Sequence, residues 1–232
     1  MQPTGRRAGG VGDRDADGGE SQAGADVRVL VATRNPGKLR EYLWLLSDLN
    51  LELVSLDQVG IGSSVAETGQ TFAENAILKA RAYAQESGLV TLADDSGLEV
   101  DALHGQPGIL SARFGGPSLD DRQRLELLLS RLAGVAWERR TARFRAAVAL
   151  ARPQGGEQVF EGTCEGFIAD APRGSHGFGY DPVFYLPSYG RTVAELGEDV
   201  KNQISHRTQA VRRARGALAQ LVAGECQPAT SD

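Results

Sequence analysis

Hydrophobic residues change their spacing along the chain, and the first change predicts a strand followed by a helix. Valines occupy every second position in 27–31, the period of a strand, whereas leucines in 39–46 recur at helical spacing. Between these patterns lies the polar segment 33–38, with the sequence Thr-Arg-Asn-Pro-Gly-Lys. The pattern therefore predicts a strand, a tight turn and a helix.

The next pattern predicts a second helix and a buried strand. Thr71 and Glu74 have the spacing of a capping box, and Gly88 suits the left-handed position that ends a helix. The apolar run 89–93 is short enough for a buried strand, and Asp-Asp-Ser-Gly follows it at 94–97. We therefore expect this strand to end at a pair of carboxylates.

The rest of the chain alternates between helical and strand patterns. A third helix, with a structural role, is predicted from Ser118, and residues 141–151 alternate as a strand. The glycine pair at 155–156 predicts a hairpin to a strand around Val159, and Ser205 is expected to cap a last helix. This order predicts an α/β fold with a sheet of mixed direction.

Composition indicates one folded domain behind a polar tail. Of the 232 residues, 41% are hydrophobic, which suffices for a sizeable core. Residues 1–25 are rich in Gly, Asp, Arg and Ala and are predicted to form a disordered tail, which leaves 26–232 as the folded domain. The net charge of −5 gives no general attraction to nucleic acid or membranes. An anionic ligand would therefore need a local cluster of positive charge.

Neither the cysteines nor the hydrophobic runs indicate an extracellular or membrane protein. Cys164 and Cys226 are too few for a disulfide framework and form no Cys-x-x-Cys pair. No run approaches the ~20 apolar residues that span a bilayer, and residues 1–25 contain no apolar signal-peptide core. A cytoplasmic protein without a membrane partner is therefore expected.

The first turn has the residues of an anion-binding helix start. Asn35 is a helix cap, Pro36 suits the first helical position, and Gly37 leaves backbone N–H groups open to a ligand. Lys38 adds a full positive charge there. Phosphate binding and an ordinary capped helix start both explain this segment.

The same segment differs from the phosphate loop of kinases and GTPases. That loop requires Gly at the position of Ala32 and Ser or Thr at the position of Leu39. A kinase or GTPase is therefore disfavoured.

Acidic residues provide a candidate magnesium site. Glu67, Asp94 and Asp95 offer hard oxygen ligands, and with three histidines in the chain this set suits Mg²⁺ better than zinc. Because adjacent strand residues point to opposite faces, Asp94 and Asp95 are not expected to face one ion. The alternatives are a polar turn for the two aspartates and a solvated surface position for Lys79, one helical turn after Asn75.

Positive residues gather at the start of the last helix, where they oppose the helix dipole. His206 and Arg207 follow the Ser205 cap, and Lys201 lies just upstream. A violated local rule often marks a functional site, although a misplaced helix boundary gives the same pattern.

Nucleic-acid binding has little support in this sequence. Arg207 and the three arginines within 212–215 most simply form the solvated face of the last helix, without interleaved aromatics for stacking. Phe178 and Tyr180 lie instead between glycines, where their rings could stack on a base or simply pack in the core.

Six short motifs occur in order between residues 27 and 222. They are TRNPGK at 33–38, ETG at 67–69, FAENAILKA at 72–80, ADDSGL at 93–98, GFGYDP at 177–182 and SHR at 205–207. Together they resemble the inosine/xanthosine triphosphate pyrophosphatase family, also called XTP/dITP diphosphatases. The commonest family sequence has Gly at the position of Arg34, and often small residues where Ser175 and His176 stand.

The resemblance implies a fold and an activity. The implied fold is a homodimer of elongated α/β subunits, each with a long mixed sheet flanked by helices and a nucleotide cleft between two lobes. The implied reaction hydrolyses non-standard purine nucleoside triphosphates to the monophosphate and pyrophosphate, with Mg²⁺ as cofactor.

The resemblance also assigns site residues by motif match. Asp95 is the implied catalytic residue, and Glu67 with Asp95 is implied to hold Mg²⁺. The residues implied to hold the triphosphate are Thr33, Asn35 and Lys38 of the turn and Lys79 of the second predicted helix. Arg34, Pro36 and Gly37 of the same turn are also implied to bind the substrate. The residues implied to bind the sugar and base are Ser96, Phe178, Gly179, Tyr180, Asp181, Lys201, His206 and Arg207.

Two rival functions remain open at this point. A pyrophosphatase of related fold, acting on modified pyrimidine or methylated nucleotides, would share the carboxylates and lysines but lack the Thr-x-Asn-x-Gly-Lys turn. A nucleotide or nucleic-acid binding module would bind with steep salt dependence and without magnesium-dependent release of pyrophosphate.

Overall fold

A computed structural model describes residues 27–225, with side-chain surroundings through residue 221. The predicted tail at 1–25 and Cys226 lie outside the described residues. The strands are β1 (Val27–Val31), β2 (Leu51–Ser55), β3 (Val90–Val100), β4 (Thr141–Ala151), β5 (Glu157–Ile168), β6 (Phe184–Leu186) and β7 (Arg191–Thr192). The α-helices are α1 (Pro36–Leu45), α2 (Phe72–Ser87), α3 (Asp121–Arg131), α4 (Val193–Leu196), α5 (Glu198–Ile204) and α6 (His206–Glu225).

The strands form one mixed sheet in the order β2, β1, β3, β4, β5, β6, β7. β1 pairs in parallel with β2 and β3, whereas all later neighbours pair antiparallel. Helices cover both faces of this sheet, so the predicted α/β fold with a mixed sheet is confirmed. Between residues 27 and 225, no helix has both the length and the apolar content to cross a membrane.

Two apolar clusters attach helices to opposite faces of the sheet. On one face, Tyr42 of α1 and Val211 of α6 pack in a cluster with Leu92. On the other face, Phe72 of α2 packs in a cluster with Ala93. Leu92 and Ala93 are neighbours in β3, and side chains alternate along a strand. The residues that follow them therefore also point toward different helices.

Local signals correctly placed the start of α1, both ends of α2 and the start of α6. The side chain of Asn35 caps α1, and that of Thr71 caps α2. Gly88 ends α2 in the left-handed conformation, with φ at 70°. At the start of α6, Ser205 Oγ accepts a hydrogen bond from the N–H of Thr208 at 3.1 Å. The β4–β5 hairpin also occurs as predicted.

The predicted end of the second buried strand is wrong. β3 continues through the Asp-Asp-Ser-Gly segment at 94–97, because β4 pairs with it over 91–100. The strand that ends near the carboxylates is β1, whose last residue Val31 pairs with Leu92. The aspartates therefore lie within one strand and just beyond the end of its neighbour.

The predicted start of the third helix is also displaced. Asp120, not Ser118, is the cap, because Asp120 and Gln123 exchange both hydrogen bonds of a capping box. The sequence patterns also did not identify β2, β6, β7, α4 and α5. These elements span only two to seven residues, and β2 does not alternate strictly between apolar and polar residues.

Gly162 of β5 sets how closely α6 approaches the sheet. A Cβ at this position would lie 2.6 Å from the backbone nitrogen of Ala210 and would also collide with the carbonyl oxygen of His206. Both atoms belong to the helix backbone, which cannot move aside as a flexible side chain can. The first turns of α6 would have to shift as a unit.

We predict that Gly162→Ala lowers the free energy of unfolding by about 1–3 kcal/mol, the usual cost of overpacking a core. Gly216→Ala in α6 is the matched control, because a Cβ there meets nothing within 4 Å. The control should raise the free energy of unfolding by up to about 1 kcal/mol through helix propensity. Urea unfolding measures both, and equal stability of Gly162→Ala and the parent would contradict the packing argument.

Candidate active site

A cavity of about 360 Å³ lies beside the end of β1 and the middle of β3. Of the predicted site residues, only Pro36 and Gly37 do not line it. The predicted residues that do are Thr33, Arg34, Asn35, Lys38, Glu67, Lys79, Asp95, Ser96, Phe178, Gly179, Tyr180, Asp181, Lys201, His206 and Arg207. Motifs that are far apart in the chain therefore meet in one place.

Asp94 is the buried anion on the face of α1 and α6. Its Oδ2 lies 3.0 Å from Lys38 Nζ and 3.1 Å from Nη2 of Arg207. Burial opposes the charge, but Lys38 and Arg207 hold the pKa of Asp94 well below its usual range. Burial lowers the pKa of Lys38, and Asp94 offsets this only in part. Asp94 therefore stays ionised and holds two cations beside the cavity.

Asp95 faces α2 and has different partners. Nδ2 of Asn75 donates to its Oδ2 at 2.9 Å, and Lys79 Nζ lies 3.7 Å from its Oδ1. The same ammonium lies 2.8 Å from Oε1 of Glu67. Burial raises the pKa of Asp95, which Lys79 offsets in part, so this carboxylate is a stronger base than an ordinary aspartate. The Lys79 side chain is 13% exposed, so its interpretation as a solvated surface residue is wrong.

Glu67 and Asp95 form a pair that fits a magnesium ion. No three or more His, Cys, Asp or Glu side chains in the described part of the chain are grouped to hold a metal. However, both carboxylates lie within 4 Å of one ammonium group, at 2.8 Å and 3.7 Å. Mg²⁺ is commonly held by one or two carboxylates, with waters and substrate phosphates completing its shell.

In the turn after β1, the backbone N–H groups that were expected to be free are already hydrogen-bonded. The N–H groups of Gly37 and Lys38 donate to Oδ1 of Asn35 at 2.8 and 3.1 Å, and the Asn35 N–H lies 3.2 Å from Thr33 Oγ1. The expectation that these N–H groups are open to a phosphate is therefore wrong, because the helix cap occupies them. The positive end of α1 and the Lys38 ammonium remain to attract an anion.

Other residues of this turn make structural contacts. Pro36 takes the first position of α1. A Cβ at Gly37 would lie 2.6 Å from the ring of Phe178, so glycine lets that ring pack against α1. The Arg34 guanidinium donates to the carbonyl oxygens of residues 61 and 63 at 2.9 and 2.7 Å. Arg34 therefore fixes the 61–63 loop, although its side chain also lines the cavity.

A second group of charges surrounds Lys201. Its Nζ lies 2.9 Å from Oε1 of Glu41, 2.6 Å from Oδ2 of Asp181 and 4.1 Å from the centre of the Phe178 ring. Burial raises the pKa of Asp181, and Lys201 offsets part of this rise. Glu41 also accepts a hydrogen bond from Arg207. One carboxylate of α1 thus holds both of the cations that the resemblance implied to bind the sugar and base.

Arg207 is 1% exposed, so its expected position on the solvated face of the last helix is wrong. Besides its pairs with Asp94 and Glu41, its Nη2 donates to Oγ of Ser96 at 2.9 Å. His206 stacks on Phe144 with ring centres 4.9 Å apart, and burial lowers its pKa well below the usual value. His206 is therefore neutral, and Arg207 is the one charged residue of the pair, which explains how α6 tolerates them at its start.

Tyr180 has the environment of a core residue. It is buried, and its hydroxyl donates to the carbonyl oxygen of Ser111 at 2.9 Å. The Tyr180 ring therefore packs in the core and also lines the cavity, and its contact with a base stays a prediction. Gly179 remains at the cavity surface, where its N–H lies 3.3 Å from Oδ2 of Asp121.

Glu41 and Asn75 were missed as contributors to the site. Glu41 lies in the buried stripe of α1, between Lys38 and Leu45, and is 7% exposed. A carboxylate at a position of helical periodicity that faces the core was the signal available in the sequence. Asn75 shares its helix face with Lys79 and is fully buried.

The comparisons with known proteins agree with this geometry. The Ham1 family model matches residues 29–217. The dITP/XTP pyrophosphatase of Geobacillus kaustophilus is 49% identical over 197 residues, which cover 85% of this chain and 97% of that protein. The dITP/XTP pyrophosphatase of Bacillus subtilis is 46% identical over 185 residues, covering 80% of this chain and 93% of that protein.

Solved structures show the same relationship. The structure of a HAM1 protein from Coxiella burnetii matches with a TM-score of 0.77 at 40% identity, covering 84% of this chain and 99% of that one. The Staphylococcus aureus Ham1 protein matches with a TM-score of 0.73 at 39% identity, covering 85% and 99%. The family resemblance carried by the six motifs is confirmed, and this chain belongs to the Ham1 family.

Proposed function

We propose that this chain hydrolyses the non-standard purine nucleoside triphosphates ITP, dITP and XTP to the monophosphate and pyrophosphate. The reaction removes damaged purines from the nucleotide pool. The observation that carries the proposal is one cavity in which Glu67 and Asp95 share Lys79, while Lys38 lies on the adjoining wall. Carboxylates for a cation and ammonium groups for phosphates are the parts that this hydrolysis requires. The names of the Ham1 relatives support the same substrate class.

Glu67 and Asp95 are the residues that would hold Mg²⁺. When bound, the cation lowers the pKa of water and offsets negative charge on the phosphates. Asn75 donates to Oδ2 of Asp95 and so fixes the orientation of that carboxylate. Arg113, whose Nη1 lies 3.2 Å from Oε2 of Glu67, positions the second carboxylate in the same way.

Asp95 is the proposed base. It accepts a proton from the water whose oxygen forms a bond to the α-phosphorus. The bond from that phosphorus to the bridging oxygen of the β-phosphate breaks, and pyrophosphate leaves. Lys38 and Lys79 stabilise the charge that develops on the leaving group, a contribution worth about 3 kcal/mol per donor in other enzymes.

Base selection is proposed to occur around Lys201 and Arg207. Both side chains have hydrogen-bond donors and no acceptors. Hypoxanthine and xanthine present an acceptor oxygen at the purine 6 position, whereas adenine presents an amino donor there. A site built of donors leaves that amino group without a partner, which disfavours ATP.

The proposed assembly is a homodimer and the proposed location is the cytoplasm, where the nucleotide pool is. The purine nucleotide is the proposed partner, and neither nucleic acid nor a membrane is proposed as another. The homodimer is proposed from the family resemblance.

The central test is release of pyrophosphate from ITP, XTP, ATP, GTP and dUTP, with and without Mg²⁺. We expect rapid release from ITP and XTP, slow release from the other three, and loss of activity when Mg²⁺ is removed. A preference for dUTP would favour the pyrimidine alternative. Binding without turnover would favour the binding-module alternative.

Asp95→Asn is expected to lower kcat by about 10²- to 10⁴-fold, because an amide cannot accept the proton. The melting temperature at pH 7 should stay at or above that of the parent, since burial disfavours the charged form of Asp95. Steady-state kinetics with ITP and thermal unfolding measure the two effects. Near-normal turnover in a folded variant would refute the role of Asp95.

Lys38→Ala is expected to lower kcat by about 10²-fold, because one donor to the leaving pyrophosphate is lost. Arg40→Ala is the matched control, since it removes one positive charge from an exposed position of the same helix. Kinetics with ITP should show little change in the control. Equal losses in both variants would indicate a general effect of charge and not a contact of Lys38.

A further inference from the structure

Arg124 of α3 lines the same cavity, but the chemistry above gives it no role. Its side chain is 12% exposed, although it carries a full positive charge. The next residue, Leu125, and Leu128 belong to the apolar cluster that attaches α3 to the sheet, as expected for a structural helix. Arg124 is therefore a largely buried cation on a helix that is otherwise held by apolar packing.

The hydrogen bonds of Arg124 are incomplete. Its Nη1 lies 3.3 Å from Oδ1 of Asp121, a carboxylate whose side chain is 64% exposed. Its Nε is buried and has no hydrogen-bond partner within residues 27–225. A guanidinium has five N–H donors and no acceptor, and a buried donor without a partner is costly. Arg124 thus retains donors that a polar ligand in the cavity can use.

Arg124 lies in the part of the cavity that is proposed to surround the base. Asp121 contacts Arg124 through Oδ1 and the N–H of Gly179 through Oδ2, so it links the arginine to the 178–181 segment. The field of Arg124 also reaches Tyr180, where it offsets part of the rise in pKa that burial causes. The lysines proposed to hold phosphates come from other elements, α1 and α2.

We infer that Arg124 is a specificity residue that donates a hydrogen bond to an acceptor of the purine base, a carbonyl oxygen of hypoxanthine or xanthine. The inference rests on the proposed function and adds a donor from α3 to those of Lys201 and Arg207. An adenine amino group cannot accept from this donor, so Arg124 increases the preference for ITP and XTP over ATP. Asp121 is a positioning residue that fixes the guanidinium relative to Gly179.

The test compares kcat/KM for ITP, XTP and ATP in the parent and in Arg124→Met, which keeps an unbranched side chain as far as the position of Nε and removes the guanidinium donors. We expect kcat/KM for ITP or XTP to fall about tenfold or more while that for ATP changes little. Asp121→Asn should also lower the ratio of kcat/KM for ITP to kcat/KM for ATP, but by a smaller factor. Calorimetry measures the dissociation constants of IMP and AMP in the same variants, and so compares the two bases without turnover.

Arg122→Met is the matched control, because Arg122 lies on the same helix with a side chain that is 87% exposed. This control should leave the ratio of kcat/KM for ITP to kcat/KM for ATP unchanged. A folded Arg124→Met with the parent's ratio, or with equal losses for all three substrates, would overturn the inference. If Arg124→Met does not fold, Arg124→Leu replaces it, since leucine also has no hydrogen-bond donor, and the parent's ratio in that variant would overturn the inference in the same way. A parent protein that does not hydrolyse ITP or XTP would instead refute the proposed function.

Discussion

Two consecutive carboxyl groups within one strand are the constraint on which this site depends. Asp94 and Asp95 lie opposite apolar residues of β4, where Val148 and Ala147 are their partners in register. Leaving a buried carboxylate unpaired would cost several kcal/mol, so each face of β3 must be covered by a helix that brings a cation. α1 and α6 do this for Asp94, and α2 does it for Asp95. The helices that cover β3 therefore also assemble the site, because they bring the cations that pair with the two aspartates.

The sequence predicted best those features whose causes are local. The caps at Asn35 and Thr71 and the left-handed end at Gly88 depend on residues within one turn, and the structure has all three. The length of β3 depends on its pairing with β4, which lies some fifty residues further along the chain, and no local pattern encodes that pairing. The burial of Arg207 depends on Asp94 and Glu41, which are 113 and 166 residues away.

The motifs predicted the residues of the site well, whereas local patterns predicted their surroundings poorly. Nearly all residues that the motifs predicted for the site line one cavity. Local sequence patterns alone, however, favoured a surface position for Lys79. Its environment requires Glu67 and Asp95, which come from a loop and from a strand. Charged residues on different elements show their pairing only after folding, because a sequence records spacing along the chain and not distance in space. Arg124 is a further example, since its helix shows an ordinary leucine stripe.

α1 connects the two ends of the cavity. Its first turn carries Lys38 beside the proposed triphosphate site, and its next turn carries Glu41, which holds Lys201 and Arg207 beside the proposed base site. Buried ion pairs of this kind contribute little net stability, because desolvation opposes the attraction between the charges, and apolar residues of similar size are often more stabilising. Their value here lies in fixing the cations before a ligand binds, so that less of the binding free energy is lost in ordering them. A cavity with the proposed task of selecting among purines by the position of its donors needs that rigidity more than it needs the stability that an apolar core would have provided.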